Sequence, residues 1–164
     1  MNCLAMIQGR RQRKSQAGQA LVELAFMAPI LVLLLIGVIE IGRYAYISIL
    51  VGNAARAGAA YGSRSIPNSG DGTGISNAAN NDFLSNGMTG LTTTATTTCG
   101  CDIGGTISSD TQGNCNPSSP PACSGHWVVT LHVTSTGQFD GLFNFLGASN
   151  QTITQTASLR VVLI

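Results

Sequence analysis

Apolar positions follow three different rules along this chain. From Leu24 to Ile39 sixteen residues pass without a charge, and the wider run Ala20–Ile41 has the roughly twenty residues that cross a hydrocarbon core. Beyond it the pattern becomes periodic. Tyr44, Ile47, Val51, Ala54 or Ala55, and Gly58 recur at helical spacing and mark one buried face. Residues 44–62 hold no proline, and Gly52, Gly58 and Gly62 only weaken helix propensity. The two stretches together predict one helix from about Gln19 to Ser63, roughly 65–70 Å long at 1.5 Å per residue, with more than half of it beyond the bilayer. Pro29 removes one backbone bond and should kink the apolar half. Ala54, Gly58 and Gly62, four apart, form a stripe of small residues suited to close approach by a neighbour, either the chain's own sheet or another subunit.

The third rule starts after Arg64. Ser65 to Gly74 is rich in Ser, Pro, Asn and Gly and reads as a loop. Ser76 to Asn86 reads as a short helix, N-capped by Ser76, with Ala78, Ala79, Phe83 and Leu84 as its apolar face. Leu91 to Thr98 is threonine-rich and β-branched, which indicates a strand in preference to a low-complexity stalk. His126 to Thr134 alternates, with Trp127, Val129, Leu131 and Val133 on one side. Thr152 to Leu163 alternates as well, through Ile153, Ala157, Leu159, Val161 and Leu163. Such strands build a sheet with one buried side. Phe139, Leu142, Phe143, Phe145 and Leu146 lie between the last two strands at helical spacing and read as core, or as a contact with a partner or the outer leaflet. The fold class is α+β: a long N-terminal transmembrane helix packed on a small antiparallel β-sheet domain. The boundaries are a basic leader at 1–18, the helix at 19–64 with its membrane segment about 20–42, and the sheet domain at 65–164.

Charge sets the direction of this anchor. Arg10, Arg11, Arg13 and Lys14 crowd its N-terminal side, while Arg43, Arg56, Arg64 and Arg160 are dispersed on the other. The positive-inside rule puts the leader in the cytoplasm and the residues beyond about 45 outside. A cleaved secretory signal would have a shorter apolar region and a small-x-small site close to its end. The attractive site here, Ala55-Arg56-Ala57, lies well past that end, which favours a retained anchor. The net charge of +1 and the cytoplasmic place of the only basic cluster argue against nucleic-acid binding; that cluster suits topology and anionic lipid.

Cys3 lies in the leader, leaving Cys99, Cys101, Cys115 and Cys123 outside, where oxidation to disulfides is favoured. Cys99 and Cys101 are too close to pair with each other, so each is expected to bond Cys115 or Cys123. A four-thiolate zinc site is the rival, without the usual pair of Cys-x-x-Cys knuckles. The exported domain, at about 100 residues, is marginal for a core of its own and gains from such bridges. Catalysis has little support. His126 and His132 sit on the polar side of a strand as ordinary exposed side chains, and the five aspartates from Asp71 to Asp140 show no acid–base or calcium spacing. No cofactor, metal or small-molecule substrate is expected.

One residue in the anchor is out of place. Glu23 is a carboxylate just inside an apolar segment, costly there without a partner, and it lies five residues after Gly18. Gly18-Gln19-Ala20-Leu21-Val22-Glu23 resembles the cleavage site of type IV pilin-like proteins. The longer run through Pro29, with Glu40-Ile41-Gly42-Arg43 and Ala54-Ala55-Arg56-Ala57-Gly58-Ala59, resembles the TadE-like pseudopilins of the tight-adherence (Tad) pilus machinery. The likeness extends more loosely to the Cys-x-Cys, the two further cysteines and the closing strand pair. It implies cutting after Gly18 by a membrane prepilin peptidase, so that Gln19 supplies the new amine and Glu23 becomes the fifth residue. Glu23 would then attract the amine of a neighbouring subunit, an opposite charge offsetting the burial of a carboxylate. Gly9 offers a second cut site, but one that leaves the basic cluster attached and no glutamate at the right spacing. The implied partners are membrane lipid, the peptidase, other pilins or pseudopilins and the inner-membrane pilus platform. The implied place is the bacterial inner membrane, crossed once, with the C-terminal domain periplasmic or extracellular. The alternative is a membrane-tethered adhesin or binding module that uses the helix only as an anchor.

Overall fold

A computed structural model describes residues 5–112, 115, 123–141 and 151–161, with side chains from residue 18 onward except those of 108–112. The fold is α+β. Helix α1 (Ala5–Gly62) is followed by α2 (Ile66–Gly70), α3 (Gly72–Ser85), β1 (Thr92–Ile103), β2 (Thr106–Gln112), β3 (His126–Phe139) and β4 (Gln151–Arg160). The chain divides into two compact units, Met1–Arg43 and Tyr44–Ile164.

In the first unit the helix continues through Pro29, and its large apolar side chains are mostly exposed. Leu21, Phe26 and Val38 are 67%, 74% and 70% exposed. None of the most apolar stretch is buried, and the helix is long and apolar enough to cross a membrane. At its end Glu40 and Arg43 form an ion pair at 3.1 Å, one helical turn apart.

The second unit places residues 44–62 of α1 and helix α3 on one face of a four-stranded antiparallel sheet, ordered β2-β1-β3-β4. Contacts fix how α1 lies on the sheet. The Tyr44 ring meets Phe139 edge-on at 5.6 Å; a side chain on Gly137 would meet Val51, one on Gly58 would meet Val133, and one on Gly62 would strike Leu131. The helix thus descends β3 in reverse order. The small-residue stripe accordingly serves the chain's own sheet. Ala54, Ala55 and Ala59 are fully buried, and a Cβ at Gly58 would also come within 3.1 Å of the Ile75 carbonyl.

Two cores result from the alternation of β3. Near the start of this unit Ile47, Leu50, Val51, Ala54, Ala79, Phe83, Phe139 and Ile153 pack together. Farther along, Ala59, Ile75, Val129, Leu131, Val133 and Val161 form the second cluster, bordered by Trp127, Ala157 and Cys115. Ser135, the buried polar residue of this face, shares a hydrogen bond with the Thr93 hydroxyl at 3.1 Å, so its burial leaves no orphan hydroxyl.

The region between α1 and β1 differs from the reading of its composition. Ser65–Gly74 is not one loop: Ser65 caps α2 by accepting from the Asn68 amide at 3.3 Å. The next helix starts at Gly72, with Asp71 in place of Ser76 as its N-cap, accepting from the Gly74 amide at 2.9 Å. That earlier start turns Ile75, Ala79 and Phe83 inward at i, i+4 and i+8, while Leu84 faces out. Asp71 also accepts a 2.8 Å hydrogen bond from the Tyr61 hydroxyl, tying the end of α1 to the head of α3. Gly74 is needed here, because a Cβ would run into the Asp71 carboxylate and the Tyr61 ring. The Gly74 amide first and the Tyr61 hydroxyl second hold the Asp71 carboxyl below its ordinary range, and the same bond to Asp71 raises Tyr61.

The strands run further than their alternation suggested. β1 continues through both cysteines to Ile103, and β3 reaches Phe139. Strand β2, not anticipated, follows a two-residue turn in which Gly104 and Gly105 take φ of +63° and +89°. Such a turn needs positive φ twice, which Gly-Gly supplies. The Gly105 amide donates to Asp102 Oδ1 at 2.8 Å and steadies it. Of the aromatic group after β3, Phe139 is core, while Leu142, Phe143, Phe145 and Leu146 lie outside the described residues.

Candidate processing motif, cystine clasp and edge groove

Gly18, Gln19 and Glu23 are all exposed on α1, with Gln19 and Glu23 one turn apart on the same side. A side chain at Gly18 would meet nothing within 4 Å. It is the only glycine between Gly9 and Gly37, and a glycine costs a helix about 1 kcal/mol relative to alanine. Glu23 accepts from the Gln19 side-chain amide at 3.3 Å, one turn back. An amide satisfies one lone pair without neutralising the carboxylate. The residues around it, Leu21, Val22, Leu24 and Phe26, are all exposed apolar side chains. In a bilayer this is a charge still lacking its counter-charge.

The four later cysteines form two bridges, Cys99–Cys115 and Cys101–Cys123, with Cα atoms 5.6 Å and 5.5 Å apart. One of the two pairings left open by spacing is thereby chosen. The register explains why both halves on β1 reach partners. Cys99 stands opposite Val129 and Cys101 opposite Trp127, and a bulge on the β2 side shifts the pairing between them. The bridges pin the connection between β2 and β3 at two points. Trp127 and Phe139 are twelve residues apart on β3, so the clasp and the Tyr44 contact lie at opposite ends of the sheet, roughly 40 Å apart at 3.3 Å per residue.

The outward face of the sheet is a field of hydroxyls. Thr134 shares a hydrogen bond with Thr156 at 3.0 Å and Thr136 with Thr154 at 3.3 Å. His132, expected to be an ordinary exposed side chain, is half-buried and spans three strands, at 2.9 Å from Thr98 Oγ1 and 2.7 Å from Ser158 Oγ. His126 stays exposed at the strand's start. Among the described residues no group of three or more His, Cys, Asp or Glu is placed to hold a metal ion.

One feature of the second unit escaped the sequence pattern. Ser48, Ile49, Gly52, Asn53 and Arg56 of α1 and Gln155 of β4 line a groove of about 210 Å³ along the sheet edge. The Gln155 amide donates to Ser48 Oγ at 3.0 Å and forms its bridge. The alternation of β4 marked Gln155 only as an outlying polar residue on the apolar side; its helical partner is distant in sequence.

A single exposed apolar helix, long and apolar enough to cross a membrane, thus carries a glutamate near its start and continues into a helix-on-sheet unit. Residues 18–60 match the family model of TadE-like proteins, the stretch over which the resemblance from Gly18 to Ala59 was drawn. No curated protein and no solved structure gives a significant match.

Proposed function

We propose that this chain is a minor pilin or pseudopilin of a tight-adherence pilus, priming or regulating the filament through its helix. Prepilin peptidase cuts after Gly18, the basic leader stays in the cytoplasm, and Gln19 carries the new amine. Glu23 on one subunit takes the Gln19 amine of the next as its counter-charge, within the apolar layer they share with other pilins and the inner-membrane platform. The unit Tyr44–Ile164 is exported into an oxidising compartment, where its two cystines persist. The observation that carries this reading is Glu23: a carboxylate that, among the described residues, accepts a hydrogen bond from the Gln19 amide, on an exposed apolar helix surface, five residues after Gly18. Mass spectrometry of the protein from its native membrane should find Gln19 at the N-terminus, and Gly18→Leu should leave the leader attached. A wild-type chain retaining residues 10–18 beside an active prepilin peptidase would overturn the reading in favour of a simple tether.

A further inference from the structure

We propose that the free edge of β4, together with the groove beside it, takes up an extended acidic segment of another protein as a fifth strand. The proposal stands apart from the pilus reading, because it concerns only the unit Tyr44–Ile164.

The first argument is the state of the edge. Among the described residues β4 is the last strand of the sheet, ten residues long, and its neighbour on the inner side is β3. Edge strands are normally blunted by lysine, proline, a bulge or shortness, since an open row of amides and carbonyls pairs with any strand that arrives. The sequence Gln-Thr-Ile-Thr-Gln-Thr-Ala-Ser-Leu-Arg has no proline and no lysine, and a single charge at its last residue. Its register with β3 is unbroken from Gln151 to Arg160. The opposite edge differs: β2 has seven residues and a register shift.

The second argument is which backbone groups are open. The Val161 amide donates to the Val129 carbonyl at 2.8 Å. In an antiparallel pair the residues bonded to the partner alternate with residues whose amide and carbonyl point away. Ile153, Gln155, Ala157 and Leu159 therefore bond β3, while Thr154, Thr156 and Ser158 offer their backbone groups to the edge.

The third argument is the groove. A strand added beside β4 sends every second side chain toward α1, where Ile49, Gly52, Asn53 and Arg56 already leave about 210 Å³ open. The only charge there is cationic. Arg56 donates to Asn53 Oδ1 at 3.5 Å, and among the described residues no carboxylate lies within ion-pair range of it. The incoming strand is thus selected for a carboxylate at one inward position, flanked by small apolar side chains. A second copy paired β4 to β4 in the usual antiparallel way is a poorer occupant. The strand it would bring, Gln151–Arg160, has no carboxylate to meet Arg56, and its single charge is itself an arginine.

The test uses the full chain in detergent micelles and a ten-residue blocked peptide of alternating Thr and Val, with one central Val replaced by Glu. Binding is read by fluorescence anisotropy, beside the same peptide carrying Lys in place of Glu. The Glu peptide should bind saturably and at least tenfold more tightly than the Lys peptide, and Arg56→Glu should reverse that order. Thr156→Pro removes only an outward amide, a change an edge strand tolerates. It should keep the thermal melt of the parent while abolishing binding of either peptide. Equal binding of the two peptides, or unchanged binding to a folded Thr156→Pro protein, would overturn the proposal. So would a dimer of the parent chain that Thr156→Pro dissociates in the absence of any peptide, because a second copy would then own the edge.

Discussion

The helix α1 is one element with two solvents. From Leu24 to Ile39 its side chains carry no charge and the large ones are exposed; after Tyr44 one stripe is buried to completion at Val51, Ala54, Ala55 and Ala59. The difference lies in residue size as much as in hydrophobicity. The apolar half carries Leu, Ile, Val, Phe and Met, which fill space against lipid. The packed half narrows to Gly58 and Gly62 where Val133 and Leu131 of β3 approach, so that a sheet can sit on a helix at close range. The same helix is thus long and apolar enough for a bilayer before residue 43 and packed into a protein core after it.

Glu23 provides the most drastic way to break this contrast, since it is the residue of the apolar half that lipid does not explain. Glu23→Ala and Glu23→Gln should both reach normal membrane levels, yet as the only copy should abolish pilus assembly and surface adherence. Normal piliation by both would remove the assembly role. In the packed half the largest loss should follow removal of the cystines. Replacing Cys99 and Cys115 by Ser, or Cys101 and Cys123, should each lower stability by about 2–4 kcal/mol. Denaturant titration would show it, and non-reducing peptide mapping should recover the Cys99–Cys115 and Cys101–Cys123 pairs and no others.

A sharper comparison substitutes the same residue type in both halves. Gly62→Leu must displace Leu131 and Ile75 and should cost about 1–3 kcal/mol, whereas Gly37→Leu meets nothing within 4 Å and should leave the melting temperature unchanged or slightly raised. Equal effects would mean that the two halves do not differ in packing. The smallest effect belongs to the Tyr61–Asp71 clasp. Asp71 is depressed in the fold, so its contribution is present above its unfolded pKa and is lost as pH falls through a value below 3.8. Tyr61 is raised, so its share is present below 10.0 and lost as pH rises through a value above it. Asp71→Asn should flatten both limbs of a stability–pH profile, and an unchanged profile would exclude the clasp as their source.

What the sequence determined by itself was whatever depends on neighbours a few residues away. The apolar run from Ala20 to Ile41 is long enough for a bilayer in any fold, the spacing of Gly18 and Glu23 is local, and the alternation of Trp127 to Val133 orients a strand before its partners are known. Two local signals were present and passed over: Gly104-Gly105 between β-branched runs, which makes the β1–β2 hairpin, and Asp71, three residues before the Gly74 amide that it caps. The glycines around each made a loop the plainer reading.

Tertiary structure decided the rest, because it rests on residues that meet across long separations. Ala54, Gly58 and Gly62 were equally suited to a subunit or a sheet until Leu131 and Val133 came to rest on them. Spacing left two pairings of the cysteines open, and the fold forms Cys99–Cys115 and Cys101–Cys123. His132 became a bridge of three strands only through the register that sets it between Thr98 and Ser158. The Arg56 groove exists because Gln155 reaches Ser48 across 107 residues. Hydrophobic period reports which face of an element is buried; which element covers that face, and which edge stays open, is fixed only when all the faces are packed at once.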